Sequence, residues 1–216
     1  MKIRHFLLFA ILALSLFSCG EDEYYKYYYK CFFLAESSFD IEGGIFIDGK
    51  PAQEADFEKI VLKADKVKNW EIEGEKTEGN KFRLTVDVTA NGITLPTVPI
   101  TPDGSSYDQL FKRFPEGFQY YIINFYVDGR RTKGVFGPES DNFYYYYVYI
   151  PEPIDLSKEE SWEVPASEFG GTIYHYRSYE LNFNRPGWYK IYCADVPIGN
   201  KEAYSSGANT WVSALK

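Results

Sequence analysis

Three dipeptides punctuate the chain at the ends of apolar runs: Asp48-Gly49, Asn91-Gly92 and Asp128-Gly129. Asn, Asp and Gly tolerate the positive φ that a two-residue hairpin turn demands, so each predicts a strand that runs into a tight turn and returns. Aromatic residues make up 19% of the sequence, with 20 Tyr and 17 Phe, and such rings favour pleated, half-buried surfaces. Alternation is clearest at Phe82, Leu84, Val86 and Val88 against Arg83, Thr85, Asp87 and Thr89, which predicts a strand with one wet side. Strands are expected over 24–34, 41–47, 59–64, 69–73, 81–89, 93–100, 119–127, 133–136, 142–150, 162–165, 176–183, 189–194 and 209–214. The run from Tyr144 to Tyr149 is aromatic on both faces, so it is either a central strand or one that presents tyrosines outward.

Two segments carry helical spacing. Tyr107, Leu110, Phe111 and Phe114 fall at i, i+3, i+4 and i+7, with Ser105 or Ser106 as N-cap and Pro115 as the stop. This predicts a short helix that plugs the end of a core. Phe57, Ile60, Val61 and Ala64 also fit a helix, but Ile60, Leu62 and Ala64 fit a strand, which is the reading preferred. The Pro/Gly/Ser-rich stretch 99–117 is the best candidate boundary. The expected fold is therefore all-β: one or two antiparallel Greek-key β-sandwich domains with a short connecting helix, one over 31–101 and one over 118–216.

The amino-terminal residues are of a different kind. Lys2 and Arg4 precede Phe6 to Phe17, an uncharged run too short to span a bilayer as a helix, which takes roughly 20 residues. Residues 1–18 read as an export signal. At its end, Leu16-Phe17-Ser18-Cys19 resembles the lipobox of bacterial lipoproteins, although Phe17 is bulkier than that family usually carries. The resemblance implies a mature chain of 19–216 with diacylglycerol and palmitate-like acyl groups on Cys19, and a lipidated tether over 19–30. Gly20-Glu21-Asp22-Glu23 resembles the surface-export signal of Bacteroidota-type lipoproteins, which implies the outer membrane and a cell-surface location, with the membrane as a partner through the lipid. Lys2 and Arg4 lie within 1–18 and no acid does, so residues 19–216 hold 21 Lys and Arg against 31 Asp and Glu, a net charge of −10. A chain so acidic repels phosphate backbones, and nucleic acid is not an expected partner.

Two further resemblances concern the strands. Gly44 to Pro51 followed by Gly79 to Val86 resembles the transthyretin-like modules of bacterial surface proteins, in which a strand enters a D-G-K-P turn. Leu181-x-Phe183-x-x-Pro186-Gly187-x-Tyr189 resembles the corner before the penultimate strand of immunoglobulin-like sandwiches, which implies that the Tyr189 hydroxyl bonds back to the backbone. Cys31 and Cys193 remain once Cys19 is assigned. They either bridge, closing a long loop worth roughly 4–5 kcal/mol in the chain-entropy account, or stay as buried thiols.

The signals of chemistry are few. His175 is the sole histidine of 19–216, which leaves no His pair for zinc and a single base for any catalytic triad. No phosphate loop or calcium-loop spacing occurs, so neither cofactor nor metal is expected. Paired carboxylates for a hydrolase are available anywhere among so many acids and point nowhere. Aromatic side chains carry more promise, since Trp and Tyr stack on sugar rings and dominate protein contacts. The candidate surface comprises Trp70, Trp162, Trp188, Trp211, Tyr144 and Tyr146, although at least three of the four tryptophans are expected to be mostly buried. The reading that results is a non-enzymatic surface binding module for a glycan or a surface protein. A structural or adhesive assembly component, such as a pilus-anchor-like protein, stands second and a carboxylate hydrolase third.

Overall fold

The chain reverses at each of the three turn dipeptides, and the backbone shows why. Asp48, Asn91 and Asp128 hold φ of 51°, 53° and 49°, and Gly92 and Gly129 follow at 74° and 78°. Paired positive φ matches the right-handed twist of the flanking strands. A computed structural model describes residues 23–48, 50–64, 67–94, 108–132, 134–137, 140–165, 171–196 and 210–214. Its early strands are β1 (Glu23–Ala35), β2 (Ser38–Ile47), β3 (Lys50–Pro51), β4 (Ile60–Ala64), β5 (Glu71–Lys76), β6 (Lys81–Asp87), β7 (Thr89–Ala90) and β8 (Ile93–Thr94). The one-turn helix α1 (Asp108–Phe111) follows, then β9 (Tyr121–Val127), β10 (Arg130–Arg131), β11 (Gly134–Gly137), β12 (Ser140–Ile150) and β13 (Ile154–Asp155). The last are β14 (Lys158–Pro165), β15 (Thr172–Glu180), β16 (Asn182–Phe183), β17 (Gly187–Val196) and β18 (Thr210–Ala214). The three turns join β2 to β3, β7 to β8 and β9 to β10. Asp128 also stitches its turn to the chain ahead of β4, its Oδ1 accepting from the Glu58 and Lys59 amides at 2.9 and 2.8 Å.

Most strands join one large mixed sheet. Its order β9-β4-β5-β6-β2-β18-β11-β12 returns to the start, because β12 also pairs with β9 through Tyr147↔Ile123, Val148↔Ile122 and Tyr149↔Tyr121. From β12 the sheet continues through β17, β1 and β15 to β14. An all-antiparallel arrangement was expected, and two joins correct it: β1 runs parallel to β15, and β2 parallel to β18. Strands from either side of 99–117 also hydrogen-bond to one another, β4 with β9 and β1 with β17. That stretch therefore does not divide two separate sheets. β4 settles the ambiguous segment as strand, with a short 3-10 turn at Glu54–Asp56 ahead of Phe57.

Two cores lie against the sheet. Ile41, Ile45, Ile60, Leu62, Phe82, Leu84, Val86, Ile123 and Phe125 close around Trp70 and Trp188 inside the circuit. Leu110, Phe111, Phe114, Val148, Ile150, Phe183, Tyr189 and Ile191 form the second. α1 is shorter than the expected helix, and Ser105, Ser106 and Tyr107 lie outside the described residues. Leu110, Phe111 and Phe114 of the expected stripe are buried in the second core. β12 and β17 are the wall between the cores, and successive residues of each turn to opposite sides.

The corner before β17 is present. The Tyr189 hydroxyl donates to the Arg185 carbonyl at 2.8 Å and accepts from the Arg185 amide at 3.2 Å.

Cys31 and Cys193 are thiols, not joined in a disulfide. Cys31 faces Ile191 and Cys193 faces Tyr29 across β1 and β17, so the two sit diagonally on one face. Diagonal Cα atoms stand about 7–8 Å apart, beyond the reach of an unstrained disulfide. Burial pushes the Cys31 thiol up to about 12, which starves it of thiolate at neutral pH. Alkylation in denaturant without reductant is expected to label both residues, and native labelling of Cys31 at pH 8 to be slow. A 31–193 linked peptide in the mass map would overturn this.

Candidate functional site

The first seven residues of β1 read Glu23, Tyr24, Tyr25, Lys26, Tyr27, Tyr28, Tyr29. No wet face can be read from such a run, because rings alternate with rings. Its neighbours are β15 on one side and, from Lys26 onward, β17 on the other. The amino-terminal end of β1, with β15 and the terminal strand β14, forms a three-stranded sheet end. Strand register sorts its side chains onto two faces of different chemistry.

One face continues outward from the second core. Its rows across β1, β15 and β14 are Tyr29, Tyr179 and Lys158; Tyr27, Arg177 and Glu160; Tyr25, His175 and Trp162; then Glu23, Ile173 and Val164. The rings of the third row stand parallel like a file of cards. Trp162 and His175 lie 4.8 Å apart at 5°, and Tyr25 and His175 5.4 Å apart at 19°. Tyr27 lies parallel to Trp162 at 6.3 Å. The Arg177 guanidinium packs over both Trp162 and Tyr27, at 4.8 and 5.3 Å, a cation–π arrangement. Glu160 bridges to Lys158 and Arg113, and these cations, Lys158 foremost, hold its carboxyl below the usual range.

The opposite face carries a grid of two rows: Tyr24, Tyr174 and Glu163, then Lys26, Tyr176 and Ser161. Tyr24 and Tyr174 stack at 5.0 Å and 15°. These six side chains surround an open pocket of about 600 Å³, whose lining also includes Tyr25, Trp162 and His175. The register turns the side chains of those three to the other face. The Tyr176 hydroxyl reaches Glu159 at 3.4 Å, one row further on. A volume of this size falls within the range of small-ligand sites. The chemistry on offer is aromatic surface beside an ammonium, a carboxylate and a hydroxyl.

The structure redistributes the aromatic candidates. Trp70 and Trp188 belong to the core and are no surface. Both satisfy their indole N–H inside, Trp70 on the Val88 carbonyl at 3.1 Å and Trp188 on the Ser37 carbonyl at 3.0 Å. Tyr146 is half-buried against Phe111, edge to face at 5.6 Å. Tyr144 and Trp211 are placed by backbone alone, in β12 and β18, and their side chains lie outside the description. Trp162 is the one candidate exposed at the sheet end. Tyr24, Lys26, Ser161, Glu163, Tyr174 and Tyr176 carried no motif signal in the sequence, and His175, the sole histidine of 19–216, sits inside the stack. Alternation within 158–165 and 172–180 carried a partial signal, but only the pairing of three distant segments assembles the grid.

No protein-family model matches the chain, and neither a curated protein nor a solved structure does.

Proposed function

We propose that this chain is a lipid-tethered surface protein that binds carbohydrate, without catalysis, on the pocket face of the β1–β15–β14 sheet end. The carrying observation is the grid of Tyr24, Tyr174 and Tyr176 beside Lys26, Glu163 and Ser161 around one open pocket. Sugars present apolar C–H faces and a rim of hydroxyls. Tyrosine rings cover the first, while an ammonium, a carboxylate and hydroxyls answer the second. The export-signal pattern of 1–18, Cys19 in its lipobox-like setting and the acidic Gly20-Glu21-Asp22-Glu23 run support tethering at the outer membrane, facing outward. The Greek-key, immunoglobulin-like character drawn from the Tyr189 corner belongs to the same proposal.

A glycan array followed by affinity electrophoresis tests the binding. Retardation on at least one polysaccharide is expected, with Tyr174→Ala and Tyr176→Ala each weakening it roughly tenfold, about 1.4 kcal/mol. An array without a hit, or a hit indifferent to both substitutions, overturns the reading. Assembly through the free edge of β14 is the less favoured alternative. That edge carries Lys158, Glu159, Glu160, Glu163 and Pro165, residues that discourage strand addition.

A further inference from the structure

The large apolar side chains that remain exposed among the described residues are Tyr24, Tyr25, Trp162, Val164 and Tyr176, between 36% and 50% accessible. All five belong to the β1–β15–β14 sheet end. Tyr24 and Tyr176 belong to the pocket grid, whereas Tyr25, Trp162 and Val164 lie on the stacked face together with Ile173. We infer that the stacked face rests on the lipid–water interface of the membrane that holds Cys19, with Val164, Ile173, Tyr25 and Trp162 at headgroup depth.

Three observations converge on a lipid surface as the occupant. The first is reach. Glu23, where β1 begins, is the fourth residue after Cys19, and four fully extended residues span at most about 14 Å. β1 runs from the tether towards the body, so the Glu23, Ile173 and Val164 row is nearest the anchor, with the Tyr25, His175 and Trp162 row two residues deeper. The second is composition. Trp and Tyr concentrate where a bilayer meets water, because each joins an apolar ring to a polar edge. Val164 and Ile173, the purely aliphatic pair, occupy the row closest to the lipid. The third is the order of charge. The Arg177 guanidinium stands one row behind the rings, at a level that suits phosphates, and long basic side chains commonly place an apolar stem and a charged head in this manner. Among the described side chains the first two rows of this face hold no carboxylate, whereas Glu163 and Glu159 lie on the other face.

The acyl groups supply the anchorage and the stacked face supplies orientation. With that face down, the pocket face looks away from the bilayer, open to solvent. This inference rests on the acylation of Cys19 but is independent of the carbohydrate reading.

The test uses the acylated protein, extracted from membranes and reconstituted in phosphatidylcholine vesicles whose acyl chains carry bromine at defined depths. Bromine quenches indole emission only on close approach. Quenching is expected, strongest for bromines nearest the headgroup, with most of it lost in Trp162→Phe. Val164→Asp is expected to diminish it while Trp162 remains. Quenching that is absent, or undiminished in Trp162→Phe, overturns the seating. The mass of the amino-terminal peptide, read on the same sample, separates the two failures. Acylated protein without Trp162 quenching overturns the seating alone, whereas unmodified Cys19 removes the tether and the inference with it. Tyr174→Ala is expected to leave quenching intact, so loss of carbohydrate binding is distinguishable from loss of seating.

Discussion

Gly187→Ala is expected to destabilise the protein by about 2–5 kcal/mol, the sum of overpacking and backbone strain. Gly187 holds φ +141°, and a Cβ there would stand 2.5 Å from the Ala35 carbonyl oxygen, 2.8 Å from Phe33 Cε2 and 3.1 Å from Glu36 Cα. Retreat is blocked on both sides. Gly187 pairs with Ile150 at the end of β12, and β1 passes it at a register irregularity between Phe33 and Ala35. The obstacle is backbone, which cannot swing aside as a side chain does. Gly129 is the control, since its φ is +78° and a Cβ there meets nothing within 4 Å. Alanine at that position isolates the conformational cost, about 1 kcal/mol. Urea unfolding would show the Gly187 midpoint well below that of the Gly129 variant. Equal midpoints would mean that the Ala35 backbone yields.

Trp188→Ala is the second large effect, expected to cost about 3–5 kcal/mol through the cavity it opens. The indole is fully buried and packs against Tyr149, Phe39 and Trp70 at 5.1, 5.8 and 6.2 Å between centroids. Trp188→Phe separates packing from hydrogen bonding. The Ser37 carbonyl that receives the indole N–H also accepts from the Val88 amide at 3.0 Å, so it is not orphaned. The phenylalanine variant should therefore lose about 1–2 kcal/mol and no more. Calorimetry compares the two, and a phenylalanine variant as damaged as the alanine one would contradict a packing origin.

Local signals were legible in proportion to how local their cause is. The Asp48, Asn91 and Asp128 turns depend on the φ of one or two residues, and each formed where the dipeptide stood. β6 alternates because one side is wet, and Phe82, Leu84 and Val86 are buried as that pattern demands. Partner choice was not legible. The parallel registers of β1 with β15 and of β2 with β18 join segments far apart in the chain, and no residue type advertises them. The tyrosines of β1 illustrate the difficulty. Aromatics on both faces suggest a strand covered on both sides, and β1 is indeed hydrogen-bonded on both edges. Hydrogen bonding along the edges is distinct from cover over the faces, however, and at the sheet end the first exists without the second. Trp70 and Trp188 are buried, in keeping with the expectation that most of the tryptophans would be, and backbone carbonyls accept from both indole N–H groups.

Tyr147 and Val148 are adjacent in sequence yet belong to different cores, and so are Trp188 and Tyr189. A partition so built works as a rivet. Melting either side loosens the strands on which the other is assembled, so heat should meet one concerted collapse of the body rather than two separate ones. A pull on either strand of that wall would then be carried by both cores together.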